Sequence, residues 1–141
     1  MAEGTNQLRV RLVTPERILF EQFADAVELP SKSGYMEVLY GAAPLVAELG
    51  AGDVTLHGST GENHRYNVSW GFAEVLPERV TILANDALLP SAIDVSRAQK
   101  QLAHGHELWS AAGDSEEAYT EANRVINEAE AKLASAANPA H

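Results

Sequence analysis

The break at Pro90 constrains this sequence more than any other feature. Five of the six prolines (Pro15, Pro30, Pro44, Pro77 and Pro90) and eight of the ten glycines lie at or before it, whereas 13 alanines follow between Ser91 and His141. Proline and glycine punctuate short strands, and alanine with Glu, Lys and Gln favours helix. The chain therefore divides into a strand-rich domain, residues 1–90, and a helical domain, residues 91–141. The expected fold is an antiparallel β-sandwich of about ten short strands followed by a C-terminal antiparallel α-helical hairpin.

In the first domain Leu8, Val10 and Leu12 alternate with Arg9 and Arg11, the period of a half-buried strand. Thr14-Pro15-Glu16 marks a turn, and Ile18–Glu21 and Ala24–Leu29 are the next strand candidates, the second ending at the loop Pro30–Gly34. Tyr35–Leu39 and Ala43–Leu49 are separated at Gly41. Asp53–His57 and Glu62–Val68 flank Gly58-Ser59-Thr60-Gly61, and Phe72–Leu76 and Arg79–Ala84 flank Pro77-Glu78, both hairpin signals. In the second domain Ser91-x-x-Asp94 resembles a capping box. Val95, Ala98, Leu102, Gly105 and Trp109 then form one helical stripe. Ala111–Asp114 breaks the helix, and Asp114-x-x-Glu117 is expected to cap the next, whose stripe is Ala118, Ala122, Val125, Ala129 and Leu133. Stripes of small residues pack closely but bury little area, and at ~25 cal/mol per Å² the seam is weak: either the hairpin can open, or, as such stripes more often mean, it packs on the sandwich and stays there. The tail from Asn138 to His141 is expected to fray.

Several chemistries are excluded. There is no Cys, which removes zinc ribbons, thioredoxin-like sites and disulfide scaffolds. Ten basic against 20 acidic residues give a net charge of −10, the wrong sign for gripping phosphate backbones, so no nucleic-acid partner is expected. No segment approaches the ~20 apolar residues of a membrane span, so no direct membrane insertion is expected, and the first residues lack the features of a signal peptide. There is no phosphate loop, and Asn67 stands where a nucleophile elbow around Ser69 needs glycine. His104 and His106, two apart on a helix, point away from each other. His57 and His64 are expected as an exposed pair, diagonal on one face of a hairpin, and no metal is expected. Nothing forms a catalytic constellation.

Six short pieces, in order and at consistent spacing, resemble the epsilon subunit of the F-type ATP synthases. They are Val13-Thr14-Pro15-Glu16-Arg17, Val27-Glu28-Leu29-Pro30 before Gly34, Gly41-Ala42-Ala43-Pro44-Leu45, Ser69-Trp70-Gly71-Phe72-Ala73-Glu74-Val75, Val80-Thr81-Ile82-Leu83-Ala84, and Ile93-Asp94-Val95-Ser96-Arg97-Ala98. The resemblance implies a non-catalytic subunit of the central rotor stalk, peripheral on the cytoplasmic side of a bacterial inner membrane. Its partners would be the gamma subunit and the c-ring, through which it couples proton flow to ATP synthesis. The hairpin would extend to the alpha/beta catalytic hexamer and restrain ATP hydrolysis. The alternatives are a coupling adaptor whose hairpin stays folded and, from another class, an unrelated ligand-binding β-sandwich.

The resemblance also implies site residues. No cofactor is required, but in some members a regulatory ATP holds the hairpin down through a segment that matches Asp94, Arg97 and Ala98 here. The loops that match the c-ring contact hold Ser33, Gly34, Tyr35, Gly41 and Ala42, with Tyr35 and Ala42 standing where the family carries an acidic residue and a histidine. Trp70 replaces a glycine of the family pattern, as core or as partner contact. The regulatory cations of the hairpin are Arg97, Lys100, Arg124 and Lys132, against eight acidic residues after Pro90, so any restraint is expected to be weak or differently built.

Overall fold

The computed structural model describes residues 6–58 and 63–138. Seven strands form one rolled sheet: β1 (Leu8–Val13), β2 (Ile18–Ala24), β3 (Ala26–Ser31), β4 (Gly34–Leu39), β5 (Leu45–His57), β6 (Asn63–Val75) and β7 (Arg79–Leu88). Their order across the sheet is β2-β1-β7-β6-β5-β3-β4. A short 3₁₀ turn at Pro90–Ala92 leads into helices α1 (Val95–Ser110) and α2 (Glu116–Ala137). The class is the one expected, a sandwich followed by a helical hairpin. Alternate residues of each strand face inward, and Leu8, Val10, Leu12, Val27, Leu29, Leu49, Val54, Leu56, Val68, Val75, Val80 and Ile82 are fully buried between the two layers.

There are fewer strands than expected because the three central ones are long. Gly50-Ala51-Gly52 and Ser69-Trp70-Gly71 do not end strands, and β5 and β6 run straight through them as 13-residue strands. The break is a coordinated bulge. Leu49 pairs with Gly71 and Ala51 with Ser69, so Gly50 and Trp70 are left out of the ladder, and on β7 the pairing likewise skips Asn85. Each strand gains a residue there, bends, and passes from one layer to the other. The sheet is also not wholly antiparallel, since β1 pairs with β7 in parallel, Arg9 beside Arg79. The expected two-residue turn at Pro77-Glu78 is present, with Leu76 and Arg79 exchanging backbone bonds of 2.9 and 3.3 Å. The turn residues Ser59, Thr60 and Gly61 lie outside the described residues, as do Pro139, Ala140 and His141 of the tail.

Both helix starts fall later than expected. Ser91 belongs to the 3₁₀ turn, and Asp94 is the N-cap of α1, its carboxylate accepting from the Arg97 amide at 3.1 Å. Ser115, not Asp114, caps α2, accepting from the Ala118 amide at 3.1 Å. Gly113, at φ 62, makes the turn one residue longer than the Asp-x-x-Glu spacing suggested. The two stripes meet as expected, with Ala98, Gly105, Ala122 and Ala129 buried. Gly105 marks the closest approach, where an added Cβ would lie 2.7 Å from Ile126 Cγ1 and 3.2 Å from the Ile126 amide nitrogen. At the loop end Trp109 and Tyr119 stack edge to face, 5.2 Å apart.

Candidate functional site

Helix α2 lies between α1 and the sheet, against β5 and β6. The sheet face it covers is polar, because beyond the bulge the outward positions are Asp53, Arg65, Asn67, Ser69 and Asp86. Each reaches the helix or organises a neighbour that does. Arg65 pairs with Asp53 at 3.3 Å and donates to the carbonyls of Ser135, at 3.1 Å, and Asn138, closing the C-terminal end of α2. Asn67, almost fully buried, donates to Asp53 Oδ1 at 3.2 Å and to the Ala131 carbonyl at 3.4 Å. Lys132 reaches down to Ser69 Oγ at 3.2 Å, Asp86 at 3.3 Å and Glu128 at 3.6 Å. Trp70 donates its indole N–H to Glu128 at 2.9 Å, and the Arg124 guanidinium sits 4.8 Å over its ring.

The weak apolar seam expected between the helices is therefore only half of the hairpin's attachment. The other half is a row of directional polar contacts to the sandwich. It is incompletely satisfied, since Asn67 Oδ1 and Ser135 Oγ are buried without hydrogen-bond partners among the described residues. An unmade buried bond costs about 1–3 kcal/mol, which lowers the barrier to lifting the helix off.

The nucleotide-binding candidates come together at one end of this row. A cavity of about 520 Å³ is lined by Asp94, Arg97 and Gln101 of the α1 start, Glu128 and Lys132 of α2, and Asp86 of β7. Asp94 and Arg97 face it, whereas Ala98 is buried in the hairpin. Three carboxylates meet two cations there, and Lys132 is already held by two of them. Of the expected regulatory cations, Arg97 and Lys100 lie exposed on α1, while Arg124 and Lys132 are engaged in docking.

The expected interface loops are not brought together. Ser33 and Gly34 form the β3–β4 turn beside α2, where Ser31 and Lys32 line a cleft with Asn127 and Glu130. Gly41 and Ala42 sit at the other end of β4, where the Gly41 amide bonds to the Pro77 carbonyl at 2.7 Å. The six-residue β4 separates the two groups by about 20 Å. Tyr35 is exposed, but its hydroxyl accepts from the Asp53 amide at 3.0 Å and its ring lies over Gly52 and Pro30. His57 and His64 point to opposite faces, since His57 pairs with Asn63 and His64 with Leu56, neighbouring rungs of the ladder. His57 instead joins Glu28 and Glu37 in a partly exposed group whose ligand atoms lie within 4.8 Å of one another.

On the near side of the bulge the outer sheet face is uncovered and apolar along one register line. Ile18 pairs with Val13, Val13 with Leu83, and Leu83 with Phe72. Ile18, Leu83 and Phe72 are each about half exposed, and Val46, one rung away, is 69% exposed. Sequence patterning missed this line because isolated outward hydrophobics on separate strands show no contiguity until the register is known. No helix among the described residues is long and apolar enough to cross a membrane.

Residues 7–90 match the family described as the beta-sandwich domain of the ATP synthase Delta/Epsilon chain. An ATP synthase epsilon chain from Koribacter versatilis is 44% identical over 89 residues, which span 63% of this chain and 62% of that one. The chloroplastic epsilon chain of Pyropia yezoensis is 32% identical over 136 residues, covering 92% and 95% of the two chains. A chain in the cryo-EM structure of the Euglena gracilis mitochondrial ATP synthase, OSCP/F1/c-ring in rotational state 1, shares the fold with a TM-score of 0.78 at 21% identity, over 95% of this chain and 86% of that one.

Proposed function

This chain belongs to the epsilon family of the ATP synthases, non-catalytic subunits by family and by the names of its relatives, and from that premise we propose that it couples rotation within the central stalk. The observation that carries the reading is the uncovered line Ile18–Val13–Leu83–Phe72. Half-exposed large hydrophobics in a continuous row are what a permanent partner covers. In this reading the gamma subunit seats on that face and the c-ring meets a sandwich end. The chain then lies peripherally on the cytoplasmic side of a bacterial inner membrane, held there through its partners.

The hairpin supplies a second, regulatory element. Docked by polar contacts rather than a broad apolar seam, it can leave the sandwich and reach the alpha/beta hexamer. It carries twice as many acidic as basic residues, so it offers few cations with which to grip a partner, and as a brake it is weak. Deleting residues 91–141 in the assembled enzyme should raise ATP hydrolysis by about twofold or less, which corresponds to about 0.4 kcal/mol. Unchanged hydrolysis would reduce the protein to a coupling adaptor, and loss of coupled ATP synthesis with hydrolysis intact would support the stalk role.

A regulatory ATP is the second reading, favoured by the cavity that gathers Asp94, Arg97 and Lys132. Arg97 is the free cation to meet a phosphate, since Asp94 is committed as an N-cap and Lys132 to the seam. The carboxylate excess keeps the affinity near millimolar, about −4 kcal/mol. Titration calorimetry on the full chain should show weak heat that Arg97→Ala abolishes. Absence of heat and of spectral change at several millimolar ATP would remove the nucleotide.

A further inference from the structure

We infer that Trp70 is a clamp that ties the position of the helical hairpin to the apolar face of the sandwich, so that the state of one biases the other. The stalk reading is needed only to say which partner covers that face; the clamp belongs to the isolated chain. Trp70 sits at φ 59, the single non-glycine residue with a positive φ among the described residues. A bulky side chain is a poor occupant of that region. Such a conformation persists where surrounding contacts over-determine it. Here those contacts come from the hairpin: Glu128 accepts the indole N–H at 2.9 Å and Arg124 covers the ring, both from α2, one turn apart.

The other side of the bulge leads to the uncovered face. Gly71, at φ 129, follows directly and packs so tightly that an added Cβ would fall 2.0 Å from the Leu83 carbonyl oxygen. Phe72 comes next, paired with Leu83 on the apolar line. A notch of about 270 Å³, lined by Lys32, Glu48, Phe72, Leu83 and Arg124, opens beside the indole. When α2 lifts, the indole loses its acceptor and its cation while the backbone keeps its strain. The bulge then relaxes and carries Phe72 with it. A partner seated on Phe72 and Leu83 holds the bulge in its docked geometry and so favours the hairpin down. By linkage a docked hairpin favours the partner by the same factor.

The test uses the full chain with Trp109→Phe, which leaves Trp70 as the single tryptophan. Two readouts are followed: hydrogen exchange of α2 amides and the ring resonances of Phe72. Trp70→Phe removes the N–H and trims the ring under Arg124 while keeping an aromatic side chain, and exchange of α2 should quicken about threefold. Trp70→Gly restores the residue the backbone favours, so the sandwich folds, yet exchange should quicken about tenfold. Glu128→Leu, in the seam, removes the acceptor of the indole N–H and should shift the Phe72 resonances as well. A side chain that merely fills space would leave Phe72 unmoved in Glu128→Leu. That result, or unchanged α2 exchange in Trp70→Gly with the strands still protected, overturns the clamp. Added gamma subunit should slow α2 exchange in the parent and not in Trp70→Gly; equal slowing in both would overturn the coupling. Failure of gamma to bind would overturn the stalk reading, and the isolated-chain measurements would still decide the clamp.

Discussion

Gly71→Ala should lower the unfolding free energy of the sandwich by about 3–5 kcal/mol and its Tm by roughly 10 °C or more. Two costs add. The residue sits at φ 129, outside the range of any side chain with a Cβ. A Cβ there would meet the Leu83 carbonyl oxygen at 2.0 Å and the Ala84 Cα at 3.1 Å, all backbone that has no rotamer by which to escape. Gly34→Ala is the control, since Gly34 has a similar φ of 125 but open space around it, so only the conformational cost of about 1–3 kcal/mol applies. Urea unfolding of both variants separates strain from collision. Equal losses would mean that β7 moves aside freely, which contradicts the paired ladder on both sides of the bulge.

Arg65→Ala should detach α2 with a loss of about 2–3 kcal/mol in docking while leaving the sandwich folded. The side chain is 9% exposed, and its removal leaves Asp53 without its cation and the Ser135 and Asn138 carbonyls without their donor. A fully buried broken pair would cost more, but Asp53 retains 21% exposure and water offsets part of the charge. Limited trypsin digestion at Lys132 reads the result, because that side chain is 12% exposed and held by Asp86 while the helix is docked. Arg65→Lys should fall between the two, keeping the charge but losing the fork that serves an acid and two carbonyls together. Unaltered cleavage in Arg65→Ala would show that the other polar contacts suffice to hold the helix.

The sandwich and the hairpin were legible because their signals are local. Leu8, Val10 and Leu12 alternate within six residues, Pro77-Glu78 turns within four, and the Ala98–Gly105 and Ala122–Ala129 stripes repeat within single helices. The long central strands were not legible, because Gly50, Gly52 and Gly71 look the same in sequence whether they end a strand or bulge it. The Asp94 and Arg97 cavity was legible in its first half, carried by one short helix start, but its floor of Asp86 and Lys132 was not. The polar seam was invisible, since Arg65 meets Ser135 across 70 residues and Lys132 meets Ser69 across 63. Trp70 was left between core and partner contact, and it is neither sealed in the core nor free, but packed against α2.

The parallel pairing of β1 with β7 has a consequence for how the chain is made. Arg9 lies beside Arg79, so β1 waits for 70 further residues to be made before its inner neighbour exists. At a synthesis rate of about 5–20 residues per second that interval is roughly 4–14 seconds. Until then β1 has only β2, and a lone two-stranded hairpin is marginal in water. Leu8, Val10 and Leu12, later the floor of the core, spend those seconds uncovered. Closure of the sandwich is thus a late, all-at-once event in the life of the nascent chain, and the hairpin has its docking face only after it.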